Sequence, residues 1–173
     1  MGLAVTIRPY EAGDVEEIAA AVCESFEELS PWMPWCHDQY SEKDAAAWVE
    51  AAQAARLSGQ VYDFAIVDPD GRYAGACGVN GINHFDGVAN VGYWVRTSRV
   101  GRGIASAAVR QLIPWAFDNL PINRLEIVVA LGNERSHRVA ERLGAHRDAV
   151  LRKRITLKGV PHDAVLYSII RPD

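Results

Sequence analysis

The sequence predicts a mixed α/β fold in one domain, residues 1–173. Two observations carry that expectation. Segments with the two-residue period of strands alternate with segments of helical spacing, and no repeat, low-complexity tract or linker separates them. Within residues 89–117, a β-rich run ending at Val95 passes through a basic turn into a helix opened by Gly101 and Gly103. Strand, glycine-rich turn and helix N-terminus in that order make an anion site. Unpaired backbone N–H groups converge there, and the helix dipole adds partial positive charge.

The elements follow in order. Residues 5–9 alternate like an edge strand. Asp14 is placed to cap a helix whose Val15, Ile18, Ala19, Val22 and Phe26 share one face. Pro31 and Pro34 force an irregular segment. Ser41 and Asp44 have capping-box spacing and open a helix to about Leu57. Residues 61–67 read as a strand, 68–71 as a turn, 72–80 as the returning strand and 81–87 as a loop. Residues 88–95 form the strand that feeds the anion turn. A helix then covers residues 103–117, with Pro114 expected to kink it or end its regular part. Residues 123–130 are strongly β-prone. Asn133 caps a helix to Leu143 that Gly144 stops. Two strands near residues 148–156 and 164–170 complete the chain.

Composition narrows the class. The chain carries a net charge of -4, so duplex nucleic acid is not the expected partner. From Gly87 to Phe117 there is no Asp or Glu, yet Arg96, Arg99, Arg102 and Arg110 fall inside. That local basic island points to a polyanion such as a nucleotide or a diphosphate cofactor. The three cysteines, Cys23, Cys36 and Cys77, are odd in number and widely spaced, which fits reducing surroundings. The opening residues read as a strand rather than a signal peptide. No apolar run nears the ~20 residues of a membrane span. A cytoplasmic protein with no membrane partner and no bound metal is the expectation.

Three phosphate sites compete. A P-loop requires Gly-Lys followed by Ser or Thr, which the chain lacks. A Rossmann fingerprint requires a third glycine where Ser106 stands, and its acidic partner would be Glu126, inside a later strand. The third candidate is a resemblance. Val100-Gly101-Arg102-Gly103-Ile104-Ala105 after Gly92-Tyr93-Trp94-Val95 resembles motif A of the GNAT superfamily of acyl-CoA N-acyltransferases, Gln/Arg-x-x-Gly-x-Gly/Ala. Val100 departs from the Gln or Arg of that motif, which leaves the backbone amides of residues 101–105 and asks Arg99 or Arg102 for the missing charge. Residues 133–145, from Asn133 through Ser136 to Ala145, are similar to the N-x-x-S-x-x-V-A-E-K/R-L-G run of the RimJ/RimL-type branch. That branch contains the N-terminal acetyltransferases of ribosomal proteins. Its W-L/M-P-W segment is matched by Trp32-Met33-Pro34-Trp35. Its C-terminal pattern is matched by Leu151-Arg152, Gly159, His162-Asp163 and Tyr167-Ser168.

The resemblance implies a central, mostly antiparallel twisted sheet, splayed in the middle, with helices on both faces. It implies acetyl-CoA as cofactor. The diphosphate would sit on Gly101, Arg102, Gly103, Ile104, Ala105 and Ser106. Pantetheine would pair with the strand end at Trp94, Val95 and Arg96, as in strand addition. Asn133 would contact cofactor, and Ser136 would donate a hydrogen bond to the departing sulfur. Many relatives use a Tyr one turn later, where this chain has Ala140. Trp32, Met33 and Trp35 would line the acceptor cleft.

No general base is evident. Relatives carry Glu on the strand before motif A, where this chain has Asn90. Glu24, Glu27, Glu28, Glu126, His37 and His84 are the remaining options. A lysine amine with pKa near 10.4 is only about 0.1% neutral at pH 7.4, a cost near 4 kcal/mol. A peptide α-amine with pKa near 7.7–8.0 is tens of per cent neutral. A missing carboxylate base therefore favours an α-amine of a peptide or protein N-terminus. Acetylation or succinylation of a small amine (a polyamine or an antibiotic) and a non-catalytic CoA sensor are the alternatives. The resemblance also leaves a homodimer open.

Overall fold

The computed structural model describes residues 5–172. In chain order the elements are β1 (Thr6–Arg8), α1 (Val15–Glu24), α2 (Phe26–Leu29), α3 (Glu42–Leu57), β2 (Tyr62–Val67), β3 (Tyr73–Asn83), β4 (Val88–Val95), α4 (Ile104–Asn119), β5 (Arg124–Ala130), α5 (Glu134–Arg142), β6 (His146–Leu157) and β7 (Val160–Ile170). The strands form one sheet in the order β1-β2-β3-β4-β5-β7-β6. Every neighbouring pair is antiparallel except β4–β5. This is the expected mixed α/β architecture.

Strand alternation sends successive side chains to opposite faces, and each face buries its own core. On one face Ile66, Val79, Leu125, Ile127 and Val129 pack against Val109 and Leu112 of α4 and Ala140 of α5. On the other, Ala65 and Ala76 meet Ile18 and Val22 of α1 and Ala45 and Val49 of α3. Helices thus cover both faces.

Several boundaries differ from the sequence expectation, each for a local reason. Asp14 does not cap α1. Its carboxylate is taken by the Arg8 guanidinium at 2.6 and 2.8 Å and by the Glu11 amide at 2.8 Å. The first helix breaks at Ser25, whose buried hydroxyl accepts the Thr97 amide at 2.9 Å instead of facing solvent. Strand β3 runs on to Asn83, where the side chain accepts the amides of Phe85 and Asp86 and makes the turn itself. Pro114 sits within α4 without ending it, on the exposed face. Strands β6 and β7 begin earlier than their apolar patterns and meet at Lys158 and Gly159, both at positive φ (48° and 78°), as a two-residue hairpin turn requires.

Candidate active site

Strands β4 and β5 pair only at Val88↔Arg124, Ala89↔Leu125 and Asn90↔Glu126. Beyond Asn90 they splay, as the resemblance implied. The Arg96 amide bonds Ala74 O on β3. Alternation then turns the main-chain groups of Tyr93 and Val95 toward the gap, where no strand pairs with them. A cleft of about 600 Å³ opens there, within the range of cofactor sites.

The turn after β4 builds the cleft's anion end. Gly101 and Gly103 have φ of 82° and 78°, a region L-residues with a Cβ avoid. A methyl at either would meet nothing within 4 Å, so conformation rather than crowding calls for glycine. The first helical amide bond of α4 is Ala107 N–H to Gly103 O at 3.0 Å. The amides of Ile104, Ala105 and Ser106 therefore have no helical acceptor and point out of the helix end. The Ser106 hydroxyl is buried without a hydrogen-bond partner. Orphaned donors of this kind fit a diphosphate.

The expected basic contacts are distributed differently. Arg96 does not reach the cleft: its guanidinium is held by Glu24 at 2.6 Å, Glu17 at 3.1 Å and Tyr73 O at 3.1 Å. Arg102 is exposed and outside the lining. Arg99 lines the cleft but lies 2.9 Å from the buried Asp68 carboxylate, which offsets its charge. The sequence reading missed Arg135, Arg138 and Arg142 of α5, which line the cleft with no ion pair among the described residues. Their three- and four-residue spacing was the available signal.

At the start of α5, Asn133 Oδ1 accepts the Ser136 amide at 3.2 Å and acts as N-cap. Its amide nitrogen remains available to the cleft. Ser136 Oγ is 3.0 Å from the Tyr93 hydroxyl, which also donates to Ser136 O at 3.1 Å. Burial pushes the Tyr93 phenol up to about 12, so it stays protonated at neutral pH. Tyr93 was not anticipated. Ala140 of α5 carries no hydroxyl, and it is the Tyr93 hydroxyl of β4 that stands beside Ser136.

A second cavity of about 510 Å³ lies on the α1–α3 face. Met33, Tyr93 and Trp94 line both cavities, so the two meet at β4. Trp35 belongs to the second cavity and packs on Trp94 with ring centroids 5.9 Å apart, whereas Trp32 lines the first. Of the base candidates, Glu126 is paired with Arg124 at 2.9 Å, and Glu24 with Arg96. Asn90 donates to Asn80 at 3.0 Å. His84 lies in the turn after β3 and lines neither cavity. Glu27 and Glu28 line the first cavity and His37 the second. Among the described residues no three His, Cys, Asp or Glu cluster as a metal site would, and no helix is long and apolar enough to cross a membrane.

A sheet split beside a helix end with free amides, with a second cavity entering from the other side, fits a transferase that moves a group from a phosphate-bearing donor to a separate acceptor. The sequence profile of the acetyltransferase (GNAT) domain matches residues 4–146, and the chain belongs to that family. It is an acetyltransferase, and acetyl-CoA is the family's cofactor. The chain is 33% identical over 176 residues to Bacillus subtilis YdaF, provisionally named a ribosomal N-acetyltransferase, covering 96% of this chain and 91% of the relative. It is 26% identical to the ribosomal-protein-serine acetyltransferase of Escherichia coli K12, covering 90% and 87%. In fold it resembles Mycobacterium smegmatis RimJ, solved in complex with a CoA disulfide, with a TM-score of 0.88 and 24% identity over 96% of this chain and 81% of that one.

Proposed function

We propose that this chain acetylates the α-amine of a protein or peptide, with acetyl-CoA in the larger cleft and the acceptor in the smaller cavity. The carrying observation is that both cavities converge on Met33, Tyr93 and Trp94, beside the unpaired backbone of β4. Acetyl-CoA supplies the activated thioester. The residues present fit it. Gly101, Gly103, Ile104, Ala105 and Ser106 would hold the diphosphate on backbone amides and the orphan hydroxyl, with Arg138 and Arg142 adding positive charge. The edge of β4 at Trp94 and Val95 would hold the pantetheine amides.

Ser136 is the donor to the leaving sulfur, oriented by Tyr93, and Asn133 offers its amide nitrogen beside it. Trp35 and Met33 wall the acceptor cavity. Among the described residues no unpaired carboxylate lines the junction itself, which favours an acceptor already partly neutral at pH 7 over a lysine side chain. Names of the relatives support a protein acceptor. Titration calorimetry with acetyl-CoA tests the cofactor half: micromolar binding is expected, abolished in Gly103→Asp, where a side chain and a negative charge enter the anion cradle. Thiol release on an N-terminal peptide panel, against lysine peptides and small amines, tests the acceptor half. Faster turnover of lysine peptides would overturn it, and binding without thiol release on any amine would favour a sensor.

A further inference from the structure

The acceptor cavity contains a charge that acetyl transfer, as proposed above, does not use. Sheet register places Asp63, Gly78 and Gly92 in one row across β2, β3 and β4. On one side the next row is Ala65, Ala76 and Trp94; on the other lie Asn80 and Asn90. Two adjacent glycines leave the middle row bare. The result is a trough on the sheet surface, floored by backbone. A methyl built on Gly78 would overlap Asp63 Oδ1, so the carboxylate lies over that glycine. A methyl on Gly92 would meet only Asn80 Nδ2, at 3.7 Å, so the trough is open there.

Among the described residues the Asp63 carboxylate has no hydrogen bond and no ion pair. The nearest cation, Arg56, spends itself elsewhere: it donates to Asp63 O at 2.9 Å and lies 4.3 Å over the Phe64 ring. Around the carboxylate the cavity is aromatic, with Tyr10, Trp48, Tyr73 and Trp94 in its wall. An unpaired carboxylate among aromatic rings is a receptor for an organic cation. It is not placed to be the base. One strand spacing separates it from Gly92, and the reacting amine must sit beyond, on the gap side of β4. That is roughly 10 Å in all, past direct or single-water reach.

We propose that Asp63 is a specificity-determining residue that anchors a second cationic group of the acceptor, roughly 10 Å from the amine that is acetylated. A basic side chain next to a peptide N-terminus has that span. The inference rests on the acceptor assignment above, and the experiment separates the two. Wild type, Asp63→Asn and Asp63→Glu are assayed on the tripeptide amides Ser-Lys-Ala and Ser-norleucine-Ala, which differ only in the second charge. The readout is the ratio of their kcat/KM values. Tryptophan-fluorescence titration of each peptide without cofactor gives a second reading, since Trp48 and Trp94 line the cavity. Calorimetry with acetyl-CoA checks that each variant is folded. The expected wild-type ratio is about tenfold or more in favour of Lys, as for a charge-assisted contact. It should fall to near one in Asp63→Asn and recover partly in Asp63→Glu. A wild-type ratio near one would overturn the anchor while leaving the acetyltransferase reading intact. So would equal losses on both peptides in Asp63→Asn, which would mark a base or a structural residue. Wild type that binds acetyl-CoA but turns over neither peptide would sink both.

Discussion

Tyr93 and Ser136 have two hydroxyl protons between them and three acceptors close by, which fixes how each can act. If Tyr93 donates to Ser136 O, the serine proton is free for the cleft. Removing the tyrosine hydroxyl leaves that proton but loses its aim. Tyr93→Phe is therefore expected to lower kcat about tenfold. Ser136→Ala, which removes the donor, should lower it about 10–100-fold, as for a hydrogen bond to developing charge. In both, the acetyl-CoA affinity measured by calorimetry should change little. An unchanged kcat in Ser136→Ala would remove the donor role. The sequence reached Ser136 and Asn133 because their motif is local. It did not reach Tyr93, because alternation tells which face a strand residue occupies and not which helix, 43 residues on, its hydroxyl meets. Asp63 was hidden for the same reason: its row forms only when three strands align. Burial, opposed by the charge of Arg56, pushes its carboxyl from an ordinary 3.8 up to about 6. A raised carboxyl favours the folded state fully below about pH 4, and that stability is lost as pH climbs through about 6. Wild type at pH 7 thus carries a half-buried unpaired charge that costs up to about 3 kcal/mol. Asp63→Asn should raise Tm at pH 7, with the gain vanishing near pH 4. A lower Tm at pH 7 would show that the carboxylate is satisfied after all.

Helices α4 and α5 were legible almost to the residue, since glycine starts, an asparagine cap and apolar spacing are all local signals. Their ends facing the gap carry the site, so its anion half was legible too. The contacts of the basic residues were not. Arg96 lies within the sequence's basic island, yet α1 brings Glu17 and Glu24 to it from 70 or more residues away. The positive charge in the cleft comes instead from α5. Replacing Arg138 and Arg142 by Gln should each weaken acetyl-CoA binding by about 1 kcal/mol, roughly fivefold in Kd, and less at high salt. No loss at low salt would take both residues out of the cofactor grip. Pro114 is the remaining disagreement: tertiary packing of Leu112, Ala116 and Phe117 carries the helix past it. The Arg110 carbonyl consequently lacks its helical donor. Because position 114 is exposed, Pro114→Ala should restore that bond and raise stability by about 1–3 kcal/mol in urea titrations. A loss of stability would mean that the proline ring itself is packed for.

Across the whole molecule, the sheet consists of two well-laddered parts joined by three residue pairs. Strands β1 to β4 form one ladder, and β5, β7 and β6 the other. The division was expected from family resemblance and not from periodicity, because β4 and β5 each read as ordinary strands. The physical cause is at the far end of β4. There the backbone leaves the sheet for the turn at Thr97, Ser25 takes the Thr97 amide, and Glu24 takes the Ser98 amide at 2.7 Å. Those contacts draw the strand end toward α1 and away from β5, so the gap is held open by α1 rather than left by default. The main-chain groups of Tyr93 and Val95 are then preorganised without a partner, and a ligand that supplies one needs little rearrangement. Amide hydrogen exchange can read this directly. On saturation with acetyl-CoA, the amides of Tyr93 and Val95 and of Ile104, Ala105 and Ser106 should slow markedly. Those of Trp94 and Gly92, which face β3, and the ladder of β6 with β7 should change little. Protection spread evenly over the sheet would indicate global stabilisation by mass action and not pairing along β4. Protection at the α4 amides alone would keep the diphosphate cradle and remove the strand-addition half of the cofactor site.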